Sequence, residues 1–284
     1  MISFIRSDGE KFDFERYFRI ISLDGIGKIN SELFSQDRLE GYGSIITGKR
    51  IPSRIIKLTG ICIHNAINDV SRNAAIRFFN PNYSFKLYID YKNSGCWIEC
   101  MVDICDLPSN NIHAPQKISL DLFCSDPLFR EANESCVEIS EIIPLFGFPI
   151  ISCGEGFTTG VYRFDRNVWI MNYGHCDTYC KAIVKIKGNA SDTVTNFKLS
   201  KIDRYGNEIS YFKFLKPLVS GDKLTIDFEN CVAMLNGENS IQYVDRKSTF
   251  FPIDVGGCYL NFDLDSGKSI IDAKIYYNNL FTGV

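Results

Sequence analysis

The segment Gly43-Ser44-Ile45-Ile46-Thr47-Gly48-Lys49-Arg50 comes within one residue of a phosphate-binding loop. That motif needs Ser or Thr after the lysine to hold Mg²⁺, and a following helix whose N-terminal amides face the phosphates. Arg50 occupies the hydroxyl position, and Ile51-Pro52 leads into a strand-like run. The segment therefore reads as a glycine-rich hairpin or arm. His175-Cys176-Asp177-Thr178-Tyr179-Cys180 gathers metal-ligating residue types. Structural zinc takes four N/S ligands, usually as two short pairs, and no second pair of suitable spacing accompanies this one. Cys96 and Cys100 fall on one face of a strand instead. The three histidines, His64, His113 and His175, lie outside any nucleophile motif. Asp263 and Asp265 alternate with apolar residues beside a glycine turn, which reads as a solvated strand face rather than an acid/base or Ca²⁺ pair. No catalytic residue, metal site or cofactor is expected, and the chain is not expected to be an enzyme.

Side chains without chemistry must serve packing and recognition, so the elements carry the argument. The chain has 284 residues, 45% hydrophobic and 23% charged, with Lys+Arg 31 against Asp+Glu 34. This is globular composition with enough apolar material for two cores. A net charge of −3 with mixed signs speaks against binding nucleic acid by neutralising phosphates. No apolar run nears the roughly 18 residues of a membrane span, and the charged N-terminus lacks the apolar stretch of a secretion signal. Eleven cysteines, an odd number without an export signal, read mostly as reduced core residues.

The dominant period is two. Phe85, Leu87, Ile89 and Tyr91 alternate with polar residues up to Asn93-Ser94-Gly95, and Cys96, Ile98, Cys100, Val102 and Ile104 continue beyond it, which predicts a hairpin. Further strands are expected at Arg54–Ile63 and through Ile118, Leu120, Leu122 and Cys124. One amphipathic helix is expected near 65–79, capped by Asn65, with Ile67, Val70, Ala74 and Phe78 inward and Asn80-Pro81 ending it. The second half holds regularly spaced strands with turns at Asp203–Asn207, Asn236-Gly237 and Ser266–Lys268, the pattern of an antiparallel sandwich. The polar stretch Arg130–Cys136 separates an N-terminal domain, residues 1–132, from a C-terminal domain, residues 133–284. Tyr42, Trp169, Tyr173, Tyr179 and Tyr205 fall in or near loops, suited to sugar stacking or protein contact, while Trp97 reads as inter-sheet packing.

Several segments in fixed order resemble the siphophage distal tail protein family. They are Leu122-Phe123-Cys124-Ser125-Asp126-Pro127-Leu128-Phe129, Met171-Asn172-Tyr173-Gly174, Ile183–Gly188, Gly221–Asp227, Leu235-Asn236-Gly237, Ser248–Ile253 and Val255-Gly256-Gly257. The resemblance runs from about Arg50 to Asp265, and Gly257-Cys258 departs from it where the family usually has Gly-Asn. It implies a mainly β protein: an N-terminal β-sandwich-like ring-forming domain with one helix, and a C-terminal galectin-like antiparallel β-sandwich. It further implies a homohexameric ring at the phage tail tip, made in the host cytoplasm and carried in the virion. Such a ring joins the tail tube protein to the tail-tip or baseplate hub and the receptor-binding proteins, without sequence-specific nucleic-acid readout or membrane insertion. Gly41, Tyr42, Gly43 and Gly48 are the candidate inter-subunit arm, because glycines let a segment extend and re-pair. A carbohydrate-binding β-sandwich module contacting host-surface glycans is the alternative, resting on the loop aromatics. Residues 131–284 are long enough only for the bare sandwich.

Overall fold

The computed structural model describes residues 1–63, 68–91, 94–108, 115–144, 160–164, 167–187, 192–266 and 271–284. His64, His113, the Asn65 helix start and parts of the turns at 93–95 and 266–268 lie outside them. The chain divides into two compact units, Met1–Asn133 with Leu280–Val284, and Glu134–Asn279. It is mainly β, built from antiparallel sheets.

The first unit runs β1 (Ile2–Arg6), β2 (Lys11–Asp13), α1 (Phe14–Tyr17), β3 (Phe18–Asp24), β4 (Glu32–Asp37), β5 (Ser44–Arg50), β6 (Arg54–Cys62), α2 (Asn68–Phe78), β7 (Ser84–Tyr91), β8 (Ser94–Asp106), β9 (Lys117–Cys124) and β10 (Phe129–Glu131). Its nine-stranded sheet has the order β2-β1-β7-β8-β9-β6-β3, with β10 paired to β8 and to the terminal strand Leu280–Phe281. Alternation decides what is buried: Phe85, Leu87 and Ile89 from β7 face the core with Cys96, Ile98, Cys100 and Val102 from β8 and Ile118, Leu120, Leu122 and Cys124 from β9. The expected run through Ile104 is corrected. A register shift against β9 between Val102 and Ile104 moves Ile104 to the exposed side and returns Leu107 to the core.

The helix is corrected in phase and in number. Phe78 is buried and Ala74 packs partly buried against the core, as expected, whereas Val70 is 62% exposed and Ser71, Ala75 and Phe79 are buried beside them, so the inward stripe is rotated away from Val70. A second short helix, α1, puts Phe14 into the same core, among the rings of Phe4 and Phe18. Trp97 is also corrected: it lies on the outer side of β8, opposite Cys96 and Ile98, with the Lys86 ammonium 4.2 Å from its ring centroid.

The second unit runs β11 (Ser135–Glu138), β12 (Ser140–Pro144), β13 (Gly160–Phe164), β14 (Asn167–Ile170), β15 (Cys180–Ile186), β16 (Thr193–Val194), β17 (Phe197–Ile202), β18 (Glu208–Phe214), β19 (Leu218–Val219), β20 (Lys223–Asp227), β21 (Val232–Leu235), β22 (Glu238–Asn239), β23 (Cys258–Asp263) and β24 (Ile271–Tyr277). A six-stranded sheet, β11-β24-β15-β20-β21-β22, and a four-stranded sheet, β14-β23-β17-β18, share one core. Leu199, Phe212, Leu260 and Phe262 from the smaller sheet meet Val184, Leu224, Ile226 and Ile275 from the larger. This is the antiparallel sandwich expected from strand spacing. Ten cysteines are described and all are free thiols, six of them buried. Burial pushes the Cys180 thiol up to about 12, and those of Cys105 and Cys258 up to about 11.

Candidate functional site

The glycine-rich segment singled out by its resemblance to a phosphate loop forms the end of a hairpin. Strands β4 and β5 pair with each other and, among the described residues, with no other strand. No helix follows β5, so the amide cradle of a phosphate site is missing. Gly41 and Gly43 turn the tip at φ of +91° and +85°, in the left-handed region that glycine enters without a Cβ penalty. Between them Tyr42 is fully solvent-facing, at 99% exposure. Gly48 lies opposite Phe34, and Thr47 is the extra residue of a bulge whose hydroxyl donates to the Phe34 carbonyl at 3.1 Å. All four candidate arm residues thus belong to one exposed hairpin.

The hairpin is apolar on its exposed surfaces. Leu33, Phe34, Ile45 and Ile46 are each about half exposed or more, and Leu39 near the tip is entirely so. The Arg50 guanidinium binds Glu32 at 2.6 Å and lies over the Phe34 ring at 5.7 Å, which ties the two strands at the root. At that root Arg54 is buried and donates to the carbonyls of Gly25 at 3.2 Å, Ile26 at 2.9 Å and Thr282, with its guanidinium over Phe129. Burial moves its pKa down from the ordinary arginine value. A cavity of about 400 Å³ opens beside it, lined among others by Lys28, Ile51, Pro52 and Lys57. Sequence reading flagged the glycines but passed over the apolar pairs Leu33-Phe34 and Ile45-Ile46. Adjacent apolar residues in a strand occupy both faces, and that was the available signal.

The other chemical candidates disperse. His175 and Asp177 are exposed, Cys180 is buried in the core, and the Asp177 carboxylate accepts from the Val255 amide at 3.0 Å. Asp265 accepts from Asn196 at 2.5 Å near the end of β23. No cluster of three or more His, Cys, Asp or Glu able to hold a metal occurs among the described residues, and no helix there is long and apolar enough to cross a membrane. Tyr173, Tyr179 and Tyr205 are exposed, and Trp169 packs edge-on to Tyr259 with ring centroids 4.6 Å apart.

The segments behind the family resemblance act as turn locks. Asn172 is buried; its amide donates to the carbonyls of Cys176 at 2.9 Å and Ile253 at 3.3 Å, and its oxygen accepts from Gly174 at 2.8 Å. Asp222 accepts from Val219 and from the side chain of Asn236, both at 2.8 Å, which couples the Gly221–Asp227 and Leu235–Gly237 segments. Gly257 has φ +98°, and a Cβ there would sit 2.3 Å from the Ile170 carbonyl oxygen, so both shape and space demand glycine. Cys258, the departure from the family pattern, is a buried core residue.

Residues 174–281 match the family model of the siphovirus-type tail component, C-terminal domain. Among solved structures, the chain is similar to SPP1 Dit, described as a paradigm of the hub adsorption apparatus in phages infecting Gram-positive bacteria. The identity is 12%, the TM-score 0.72, and 99% of each chain is covered. It is also similar to a chain of the phage P2 baseplate in its activated conformation, at 10% identity and TM-score 0.51, covering 100% of this chain and 99% of that one. No curated protein sequence matches the chain.

Proposed function

We propose, from the match of residues 174–281 to the siphovirus-type tail component model and the likeness of the whole fold to SPP1 Dit, that the chain works as a distal tail protein, in a ring of six copies at the tail tip. The ring joins the tail tube to the tip or baseplate hub and its receptor-binding proteins. It is a structural part of the virion and not an enzyme. The β4–β5 hairpin is the inter-subunit arm, with Gly41, Tyr42 and Gly43 at its tip and Gly48 in its second strand.

One observation carries this reading: a hairpin that pairs only with itself among the described residues holds several large apolar side chains in solvent. Two isolated strands are marginal in water, and a contiguous exposed apolar patch marks a contact surface. A head-to-tail contact repeated by rotation closes a ring when each copy offers one arm and one receiving surface. Light scattering and negative-stain imaging test it. The expected particle has six times the 32.3 kDa chain mass and a central hole. Deleting 43–47 is expected to leave folded protein that assembles poorly. A wild-type chain that stays monomeric at every concentration overturns the ring, and unchanged rings after the deletion overturn the arm.

A further inference from the structure

Arg54 lines the cavity at the root of the β4–β5 hairpin, and among the described residues its charge has no counter-ion. The side chain is 7% exposed. Its Nη1 donates to the carbonyls of Gly25 and Ile26, and its Nη2 donates once, to that of Thr282. A guanidinium has five N–H donors, so the Nε–H and one Nη2–H are left without an acceptor. The Phe129 ring covers the group, its centroid 4.8 Å from the guanidinium carbon. Burial lowers the Arg54 pKa, and no carboxylate acts to hold it up. Buried charges are ordinarily paired, because carbonyl dipoles alone offset only part of the desolvation.

The carboxylates of the surrounding strands are committed elsewhere. Glu32 binds Arg50 at 2.6 Å, Asp121 binds Lys57 at 3.0 Å and Asp126 binds Arg130 at 3.3 Å. The cavity of about 400 Å³ is lined by three cations, Lys28, Arg54 and Lys57, against one acid, Asp24. Asp24 stands across from Lys57 in the β3–β6 register. Ile51 and Pro127 add apolar wall. Unused guanidinium donors, an excess of positive charge and an apolar wall thus meet in one hole of ligand size.

We propose that this cavity binds an aliphatic carboxylate. The carboxylate accepts from the free donors of Arg54, Lys28 adds a second positive charge, and the alkyl chain lies on Ile51 and Pro127. A planar carboxylate matches the guanidinium fork. Inorganic phosphate is the competing ion, but it would leave the apolar wall uncovered. The carboxylate belongs to a free organic acid or to an acidic side chain of a neighbouring protein, and two probes separate these sources.

Saturation-transfer NMR on the full-length chain uses pentanoate for the free acid and the blocked tripeptide acetyl-Ala-Glu-Leu-amide for the protein side chain. At least one is expected to bind saturably, at a Kd of about 1 mM as befits one ion pair with a short alkyl contact. The tighter of the two identifies the source. Pentanamide and the Gln tripeptide, which lack the charge, are expected to bind at least tenfold more weakly. Arg54→Lys is expected to cost at least tenfold in affinity. Lys28→Ala, which touches no buried bond, is expected to cost about threefold and keeps the test open if Arg54→Lys fails to fold. Absence of binding by both probes overturns the proposal, as does equal binding of the uncharged probes. So does an affinity unchanged in Lys28→Ala, or inorganic phosphate that binds more tightly than either probe. The signal comes from the ligand in any oligomeric state, so its failure is separate from a failure of ring assembly.

Discussion

Arg54 shows how one side chain can organise a whole region of the first unit. It is the first residue of β6, it is buried, and its planar fork serves carbonyls at 25, 26 and 282. A lysine has one ammonium and no fork, so it cannot serve the same three acceptors. Arg54→Lys is expected to destabilise the unit by about 2 kcal/mol, the worth of a lost charge-assisted bond plus an unsatisfied carbonyl. Chemical denaturation followed by circular dichroism measures this, and an unchanged midpoint would contradict the assignment. Lys201 plays a similar part in the second unit: its buried stem delivers the ammonium to the Pro252 carbonyl at 3.0 Å and to Asp254 at 2.6 Å. Neither role shows in the sequence, where both residues look like ordinary strand charges.

At the scale of elements, register decides which charges meet. On the outer side of the six-stranded sheet Lys185 lies directly across from Lys223, while Asp272 on the other flank is bound to Lys187 at 2.7 Å. Like charges directly opposite on an antiparallel pair are unfavourable. Lys223→Glu replaces that repulsion by attraction and is expected to raise stability by up to about 1 kcal/mol, or about 2–4 °C in melting temperature. Calorimetry reads the shift directly, and a lowered melting temperature would show that the lysines do not feel each other. The same reasoning explains the bulge in β8: one additional residue re-aims every side chain after it, so Ile104 points away from the core that Val102 enters.

For the whole molecule, carboxylates set the response to acid. The guanidinium of Arg6 holds Asp8 below the usual carboxylate value, and the side chain and backbone of Asn207 do the same for Asp203. A depressed folded pKa contributes stability above the unfolded value and loses it as pH falls through the folded one. The first unit holds Asp8, and the second holds Asp203 together with Glu208 and Asp227, whose carboxyls are also lowered, so thermal melts should be flat near neutrality and fall steadily below about pH 4. Asp203→Asn should reduce the acid sensitivity of the second unit alone. Equal acid loss with and without Asp203 would assign the effect elsewhere.

The alternation of apolar and polar residues was enough to place the hairpin of Phe85 to Val102, the strand at Ile118–Cys124 and the Asn236-Gly237 turn. A strand repeats every two residues by backbone geometry alone, and only certain residues accept positive φ. The ordered family segments were legible for a related reason: Asn172, Asp222 and Gly257 fix local turns, and local turns leave local signatures. The helix phase, the bulge in β8 and the outward position of Trp97 were not legible, since each depends on a neighbour distant in sequence. Nor could the sequence say that, among the described residues, β4 and β5 would pair only with each other, or that Leu280–Val284 would join the first unit. The lining up of Asn167, Asn261 and Ser200 across three strands likewise exists only in the folded sheet, because local geometry determines which way a residue faces while pairing determines what it faces with.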